Sequence, residues 1–148
     1  MNTVDEILDF AIDREQDAAD FYINLAERAS SAWMKEMLLG FSKEEMRHKG
    51  KLKSVKKGEK LLSSEQQVQD LKISDYLVDV EPRDDISLQD AMIVAMKREK
   101  AAYRLYSDLA AKVADPEVKE LFLGLAQEEA KHKLYFEVQY DDQVMRDN

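Results

Sequence analysis

The chain has 148 residues, a length that suits one domain, with a net charge of −9 and no cysteine. The missing cysteines exclude disulfides, thiolate metal sites and cysteine nucleophiles, and the acidic balance gives no general electrostatic reason to bind nucleic acid or an anionic membrane. Only 4 Gly and 2 Pro occur and 36% of the residues are charged, a composition that favours long helices with solvated faces. Because neither a signal peptide nor an apolar run of about 20 residues is visible, we expect a soluble, cytoplasmic protein.

Two long amphipathic helices are predicted in the first part of the chain. The first begins after Thr3, a good capping residue, and its apolar residues recur in steps of four and three, with Glu15 in the middle of that stripe. The second runs from about residue 32 to residue 57 and carries Glu45 and His48 in its apolar stripe. Each helix therefore places charged or polar groups on the face that should pack in the core.

The middle of the chain differs in composition. Residues 58–86 are mostly polar and are predicted to form a long crossover with some local helix, too short for a second domain. Short helices are expected to start near residue 64 and near residue 74, and the turn-forming sequence at 81–85 ends the segment. Ser87 can then cap the next long helix.

Two further long helices follow the crossover. The third carries Glu99 in its apolar stripe, and the Asp-Pro-Glu sequence at 115–117 is a strong start signal for the fourth. The fourth helix carries Glu129 and His132 on its apolar face. We expect the chain end, residues 141–148, to fray.

The two halves of the chain match without gaps at a constant offset of 84 residues, as in Glu15 and Glu99, where 99 − 15 = 84. The other related polar and aromatic pairs are Tyr22/Tyr106, Glu45/Glu129 and His48/His132, which include the only two histidines of the chain. Further identities at this offset include Ala11/Ala95, Arg14/Arg98 and Ala18/Ala102. Two helical hairpins of one design, joined by the crossover, predict an all-α, pseudo-twofold four-helix bundle.

The stripe residues have the chemistry of a metal site. Residues i and i+3 lie on one helix face, so each Glu-x-x-His can hold one ion. Four buried carboxylates without partners would repel one another and take up protons, whereas two divalent cations balance them. Oxygen-rich ligation with two imidazoles suits iron or manganese and accepts zinc. A single Glu-x-x-His often occurs without metal, but its duplication in core-facing stripes favours a site built from Glu15, Glu45, His48, Glu99, Glu129 and His132.

The motifs that carry these residues resemble those of a known family. They are Glu-x6-Tyr in REQDAADFYINLAERA and REKAAYRLYSDLAAKV, and Glu-x-x-His in SKEEMRHKGKL and AQEEAKHKLYF. The set resembles the rubrerythrin branch of the ferritin-like di-iron carboxylate proteins and covers all four predicted helices. The resemblance implies one ferritin-like domain over residues 1–148. It also implies that Glu45 and Glu129 bridge two irons, Glu15 and Glu99 are terminal ligands, His48 and His132 each cap one iron, and Tyr22 and Tyr106 hydrogen-bond to ligand carboxylates.

The resemblance also implies an activity. The family reduces hydrogen peroxide or dioxygen as part of the response to oxidative stress, cycling between diferrous and diferric states. This chain lacks the four cysteines of a rubredoxin-like domain, so we expect electrons from a separate donor protein such as a rubredoxin. A homodimer is expected.

Two alternatives stay open at this point. Ala102 stands where an additional glutamate is expected one turn after Glu99, which leaves room for a bundle whose metal is not redox-active. A ferroxidase or iron-storage protein of the bacterioferritin type also has two Glu-x-x-His motifs. The sequence AADFY and the lack of an obvious fifth helix argue against storage.

Overall fold

The computed structural model describes residues 3–78 and 86–147, with only the backbone for residue 62 and residues 143–147. The four long helices are α1 Val4–Glu27, α2 Ala32–Lys57, α4 Leu88–Lys112 and α5 Pro116–Asp147. Between α2 and α4 lie the short helix α3 Glu65–Gln69 and the 3-10 turns Leu62–Ser64 and Ile73–Tyr76. These described residues contain no β-strand, and none of their helices is apolar over enough length to cross a membrane.

The helices pair as the repeat predicts. Helices α1 and α2 pack closely along their length, and so do α4 and α5, whereas the two hairpins meet mainly through side chains. The prediction of an all-α, ferritin-like bundle made of two helical hairpins and a long crossover is confirmed.

The predicted helix starts are confirmed by hydrogen bonds at the caps. The side chains of Thr3, Ser31 and Ser87 each accept a hydrogen bond from the backbone N–H three residues further on, at 3.0–3.1 Å. Asp115 accepts two backbone N–H groups at the start of α5, at 2.8 and 3.2 Å. Each cap satisfies N–H groups that have no partner within the helix.

The crossover contains the short helices that the sequence predicts near residues 64 and 74, as α3 and the second 3-10 turn. The predicted turn at 81–85 lies outside the described residues. Two side chains attach the crossover to the second hairpin. The buried Ser64 accepts a hydrogen bond from the Ala114 backbone N–H at 2.9 Å, and the Tyr76 hydroxyl donates to Asp108 at 2.5 Å.

The prediction that residues 141–148 fray is wrong for the described backbone, because α5 continues to Asp147. No glycine or proline follows Gly124 to interrupt the helix. In addition, Tyr140 packs against one of the apolar clusters and supports the helix near its end.

The core consists of two apolar clusters separated by a polar layer. One cluster includes Leu8, Leu52, Leu109 and Phe122, and the other includes Leu25, Leu38, Met92 and Phe136. On α1, Ala11 belongs to the first cluster and Ala18 to the second, and Glu15 lies between them. The helix period of 3.6 residues keeps all three on one face. The polar layer is thus enclosed by hydrophobic packing above and below.

Replacing Ser64 with alanine removes the acceptor that links the crossover to the α4–α5 loop. We expect the free energy of unfolding to fall by about 1 kcal/mol, since the Ala114 N–H loses its partner. Urea unfolding monitored by circular dichroism measures this change, with an unchanged slope. Ser63→Ala, at the exposed neighbouring position, is the control and should change the stability by less than about 0.5 kcal/mol. Equal stabilities of the two variants would contradict the assigned role of Ser64.

Candidate metal centre

The six residues singled out in the sequence lie together in the polar layer. Each is almost fully inaccessible to solvent, with an exposed fraction of 0% for the four glutamates and His48 and 1% for His132. The residues form two groups, and within each group one ligand atom from every residue lies within 4.8 Å of those from the others. The groups are Glu15, Glu45, His48 and Glu129, and Glu45, Glu99, Glu129 and His132.

The two groups overlap in a specific way. Glu45 and Glu129 belong to both groups, whereas each of the other residues belongs to one. Two ions held by these groups would share the two central carboxylates. This grouping agrees with the bridging and terminal roles that the resemblance implies, which stay predictions about ion binding.

Each histidine is oriented by a glutamate from the opposite hairpin. His48 Nε2 contacts Glu128, and His132 Nε2 lies 2.5 Å from Glu44 Oε2. In each histidine Nε2 is therefore occupied by a contact with a glutamate, and Nδ1 faces the centre of the cluster. This arrangement is common for histidines that bind metals. The sequence interpretation gave Glu44 and Glu128 no role. The signal was available, since both precede a ligand glutamate and they are related by the same repeat, 128 − 44 = 84.

The two tyrosines also bond across the hairpins. The Tyr22 hydroxyl donates to Glu99 Oε1, and the Tyr106 hydroxyl donates to Glu15 Oε1. Burial raises the pKa of both phenols well above the usual value, and nearby carboxylates raise it further. Both hydroxyls therefore stay protonated and act as donors, as the resemblance implies.

Arg14 is a member of the cluster that sequence reasoning missed. Its guanidinium nitrogens lie 2.7–3.1 Å from one oxygen of each of the four glutamates, and its side chain is only 13% exposed. The repeat pairs Arg14 with Arg98, but the Arg98 guanidinium lies 5.0 Å from the centroid of the Phe21 ring instead. The sequence pattern could therefore not show which arginine enters the cluster.

The charges of the cluster perturb one another. Burial raises the pKa of Glu129, and neighbouring carboxylates oppose its ionisation further. Burial acts in the same direction on Glu45, but Arg14 and His132 outweigh it and hold the pKa of Glu45 below its usual value. Burial alone would lower the pKa of His132, yet Glu45 and Glu99 raise it to about 11. The four carboxylates thus depend on positive charge placed among them.

The unpartnered atoms of the cluster provide a test of whether the residues suit metal ions. Among the described residues, the buried atoms of the cluster without a hydrogen bond of good geometry are Glu15 Oε2, Glu45 Oε1, His48 Nδ1, Glu99 Oε2, Glu129 Oε1 and Oε2, and His132 Nδ1. The two Glu129 oxygens have ion-pair contacts instead, at 2.9 Å from His48 Nδ1 and 2.9 Å from Arg14 Nη2. Buried polar atoms without partners are rare because each costs about 1–3 kcal/mol. Carboxylate oxygens and imidazole nitrogens are ligands for iron, manganese and zinc. The donor set therefore fits a pair of divalent cations.

A comparison with protein-family models matches residues 6–140 to the family described as Rubrerythrin. The chain belongs to the rubrerythrin family. A solved structure of a hypothetical protein from Pyrococcus furiosus is similar, with 25% sequence identity and a TM-score of 0.67. The match covers 92% of this chain and 87% of that chain. The search of curated proteins gave no significant match. Rubrerythrins bind a di-iron centre, and the buried carboxylate and histidine cluster suggests a di-iron carboxylate protein here.

Replacing Glu128 with alanine leaves His48 Nε2 without its partner, while the six cluster residues stay in place. We expect the affinity for one of two bound Mn²⁺ ions to fall by about 10–100-fold, the usual effect of removing a group that orients a histidine ligand. Isothermal titration calorimetry measures both sites. Glu120→Ala, on the exposed face of α5, should bind as the wild type does. If Glu128→Ala binds both ions normally, the orienting role is wrong.

Proposed function

We propose that this rubrerythrin-family chain holds two irons in the polar layer and reduces hydrogen peroxide or dioxygen with electrons from an external donor. The observation that carries the proposal is the pair of ligand groups that share Glu45 and Glu129. Glu15 and His48 would complete one iron site, and Glu99 and His132 the other. When bound, the iron pair supplies two electrons by passing from the diferrous to the diferric state.

The other residues of the layer would fix the ligands. Tyr22 and Tyr106 each hold one oxygen of a terminal carboxylate, and Glu44 and Glu128 hold the imidazole rings. All four contacts run between the hairpins, so the ligand positions depend on the assembled bundle. The apolar clusters on both sides keep bulk water away from the layer and thereby strengthen the electrostatic interactions within it.

A cavity of about 190 Å³ between α1 and α4 would provide the route for the oxidant. Arg14 lines the cavity on the side of the carboxylates, and Ala101 and Ala102 line its α4 side. Ala102, one turn after Glu99, adds little bulk to this wall of the cavity. A molecule as small as hydrogen peroxide or dioxygen can use such a route, whereas a large organic substrate would not fit beside the buried layer.

The electrons would come from another protein. Reduction of one hydrogen peroxide to two waters consumes two electrons and two protons, and this chain contains no cysteine with which to form a rubredoxin-type iron site. We therefore propose a separate donor such as a rubredoxin, acting on a homodimer in the cytoplasm. Light scattering tests the assembly. A particle of about 24 subunits would instead favour iron storage, because storage requires a hollow cage built from many subunits.

Replacing both His48 and His132 with alanine should abolish the iron pair, because each proposed site then loses its nitrogen ligand. Metal analysis and an optical spectrum of anaerobically purified protein should give two irons per chain for the wild type. Arg47→Ala with Lys131→Ala, at the exposed positions just before the two histidines, is the matched control and should keep both ions. The ligand assignment is wrong if the double histidine variant still holds two ions, and zinc alone in the wild type would favour a non-redox bundle.

Peroxide should oxidise the diferrous protein faster than dioxygen does, as expected for a peroxide reductase. Anaerobic diferrous protein is mixed with each oxidant in a stopped-flow instrument, and absorbance of the oxidised centre is followed. The double histidine variant should show no such change. Absence of reaction with both oxidants would overturn the proposed activity without affecting the ligand assignment.

A further inference from the structure

Arg14 and the histidines approach the carboxylates from different sides. For Glu45, Arg14 Nη1 lies 2.7 Å from Oε2, whereas His48 Nδ1 and His132 Nδ1 each lie 3.4 Å from Oε1. For Glu129, Arg14 Nη2 lies 2.9 Å from Oε2 and His48 Nδ1 lies 2.9 Å from Oε1. One oxygen of each shared carboxylate is therefore engaged by Arg14.

A carboxylate that bridges two ions with one oxygen on each ion uses both of its oxygens, and we take this mode for Glu45 and Glu129. The oxygens of Glu45 and Glu129 that face Arg14 would then become ligands, so the guanidinium and the ions would compete for the same atoms. The competition is also electrostatic. A guanidinium held within about 3 Å of these oxygens would lie close to two divalent cations, and like charges at such distances repel strongly in a buried site.

The structure contains a space that can receive the displaced side chain. The cavity of about 190 Å³ borders Arg14 directly, and its volume is several times the roughly 30 Å³ that one water molecule takes up in the liquid. Asp13 and Asp17 line it and would offer carboxylates to the guanidinium. Tyr76 adds an aromatic ring to the wall.

The repeat supports this location independently. Arg98 is the equivalent of Arg14 in the second hairpin, and its guanidinium lies over Phe21, outside the carboxylate cluster. The residue equivalent to Phe21 is Leu105, since 105 − 21 = 84, and Leu105 lines the cavity beside Arg14. Arg98 also lines this cavity and thus shows that an arginine at this point of the helix can lie outside the carboxylate cluster.

We propose that Arg14 is an internal counterion that neutralises part of the charge of the four glutamates when no cation is bound. Divalent cations would displace its guanidinium into the cavity between α1 and α4. The inference rests on the proposed metal site but not on its redox activity. It assigns Arg14 control over ion affinity. It also makes the guanidinium a part of the cavity wall once the ions are in place.

Arg14→Gln removes the competing charge and should therefore bind Mn²⁺ more tightly than the wild type does. We expect an increase of about tenfold or more, which corresponds to removing one buried charge-assisted hydrogen bond that the ions must otherwise break. Competition with a chelator of known affinity measures it for Mn²⁺, an ion that accepts oxygen and nitrogen ligands. Lys35→Gln, which removes one positive charge from the exposed face of α2, is the control and should bind within about twofold of the wild type, a difference of less than about 0.5 kcal/mol.

Equal or weaker binding by Arg14→Gln, with normal binding by the wild type, would overturn the counterion role alone. If the wild type binds no Mn²⁺, the metal site itself fails as well. Thermal unfolding gives a second readout. With a chelator present, Arg14→Gln should unfold at a lower temperature than Lys35→Gln, and saturating Mn²⁺ should remove that difference. A difference that persists with Mn²⁺ would show that Arg14 stays with the carboxylates and has a purely structural role.

A crystal structure of the wild type with Mn²⁺ tests the displacement without any substitution, should the variants fail to fold. The expected result is two ions between the shared carboxylates, with the Arg14 guanidinium in the cavity and more than 4 Å from Glu45 and Glu129, beyond the range of an ion pair. Two ions with Arg14 still in contact with both carboxylates would overturn the proposal.

Discussion

Four carboxylates in the middle of a hydrophobic core form the constraint on which this protein depends. Glu15, Glu45, Glu99 and Glu129 are inaccessible to solvent and lie between two apolar clusters. Burying charges of one sign is strongly unfavourable unless opposite charge is buried with them. Arg14 provides some of that charge in the structure, and the donor set fits two cations that would provide all of it. Fold and metal binding are therefore linked, because whatever neutralises the layer also stabilises the bundle.

The polar layer is also what joins the two hairpins. Within each hairpin the helices pack closely along their length, but the hairpins have few close backbone approaches to each other. Both tyrosine hydrogen bonds and both histidine–glutamate contacts run from one hairpin to the other. The same residues that position the ligands thus hold the halves of the bundle in register. A change in the layer is therefore expected to affect metal affinity and hairpin docking together.

The sequence predicted the helices and the six cluster residues because both depend on periodicity. A stripe with steps of three and four residues fixes the buried face, and a gapless repeat makes Glu15 and Glu99 equivalent. It did not predict Arg14, since equivalence by repeat treats Arg14 and Arg98 alike, whereas one guanidinium already contacts all four carboxylates. Glu44 and Glu128 were missed for another reason. The repeat pairs them as well, but they lie outside the apolar stripes, so their pattern is that of solvated positions until the opposite hairpin brings a histidine against each.

The asymmetry around Arg14 follows from the single crossover. Duplication gives each hairpin an equivalent set of ligands, but only one segment connects the hairpins, and its residues Tyr76 and Leu77 line the cavity next to Arg14. Tyr76 is anchored to Asp108 of α4, so the crossover forms a fixed wall at this face of the bundle. Arg98 lines the same cavity, but its guanidinium lies over Phe21, a bulkier residue than Leu105. A repeated sequence therefore yields a symmetric set of ligands beside an asymmetric cavity, and of the two arginines that line the cavity Arg14 is the one that contacts the carboxylates.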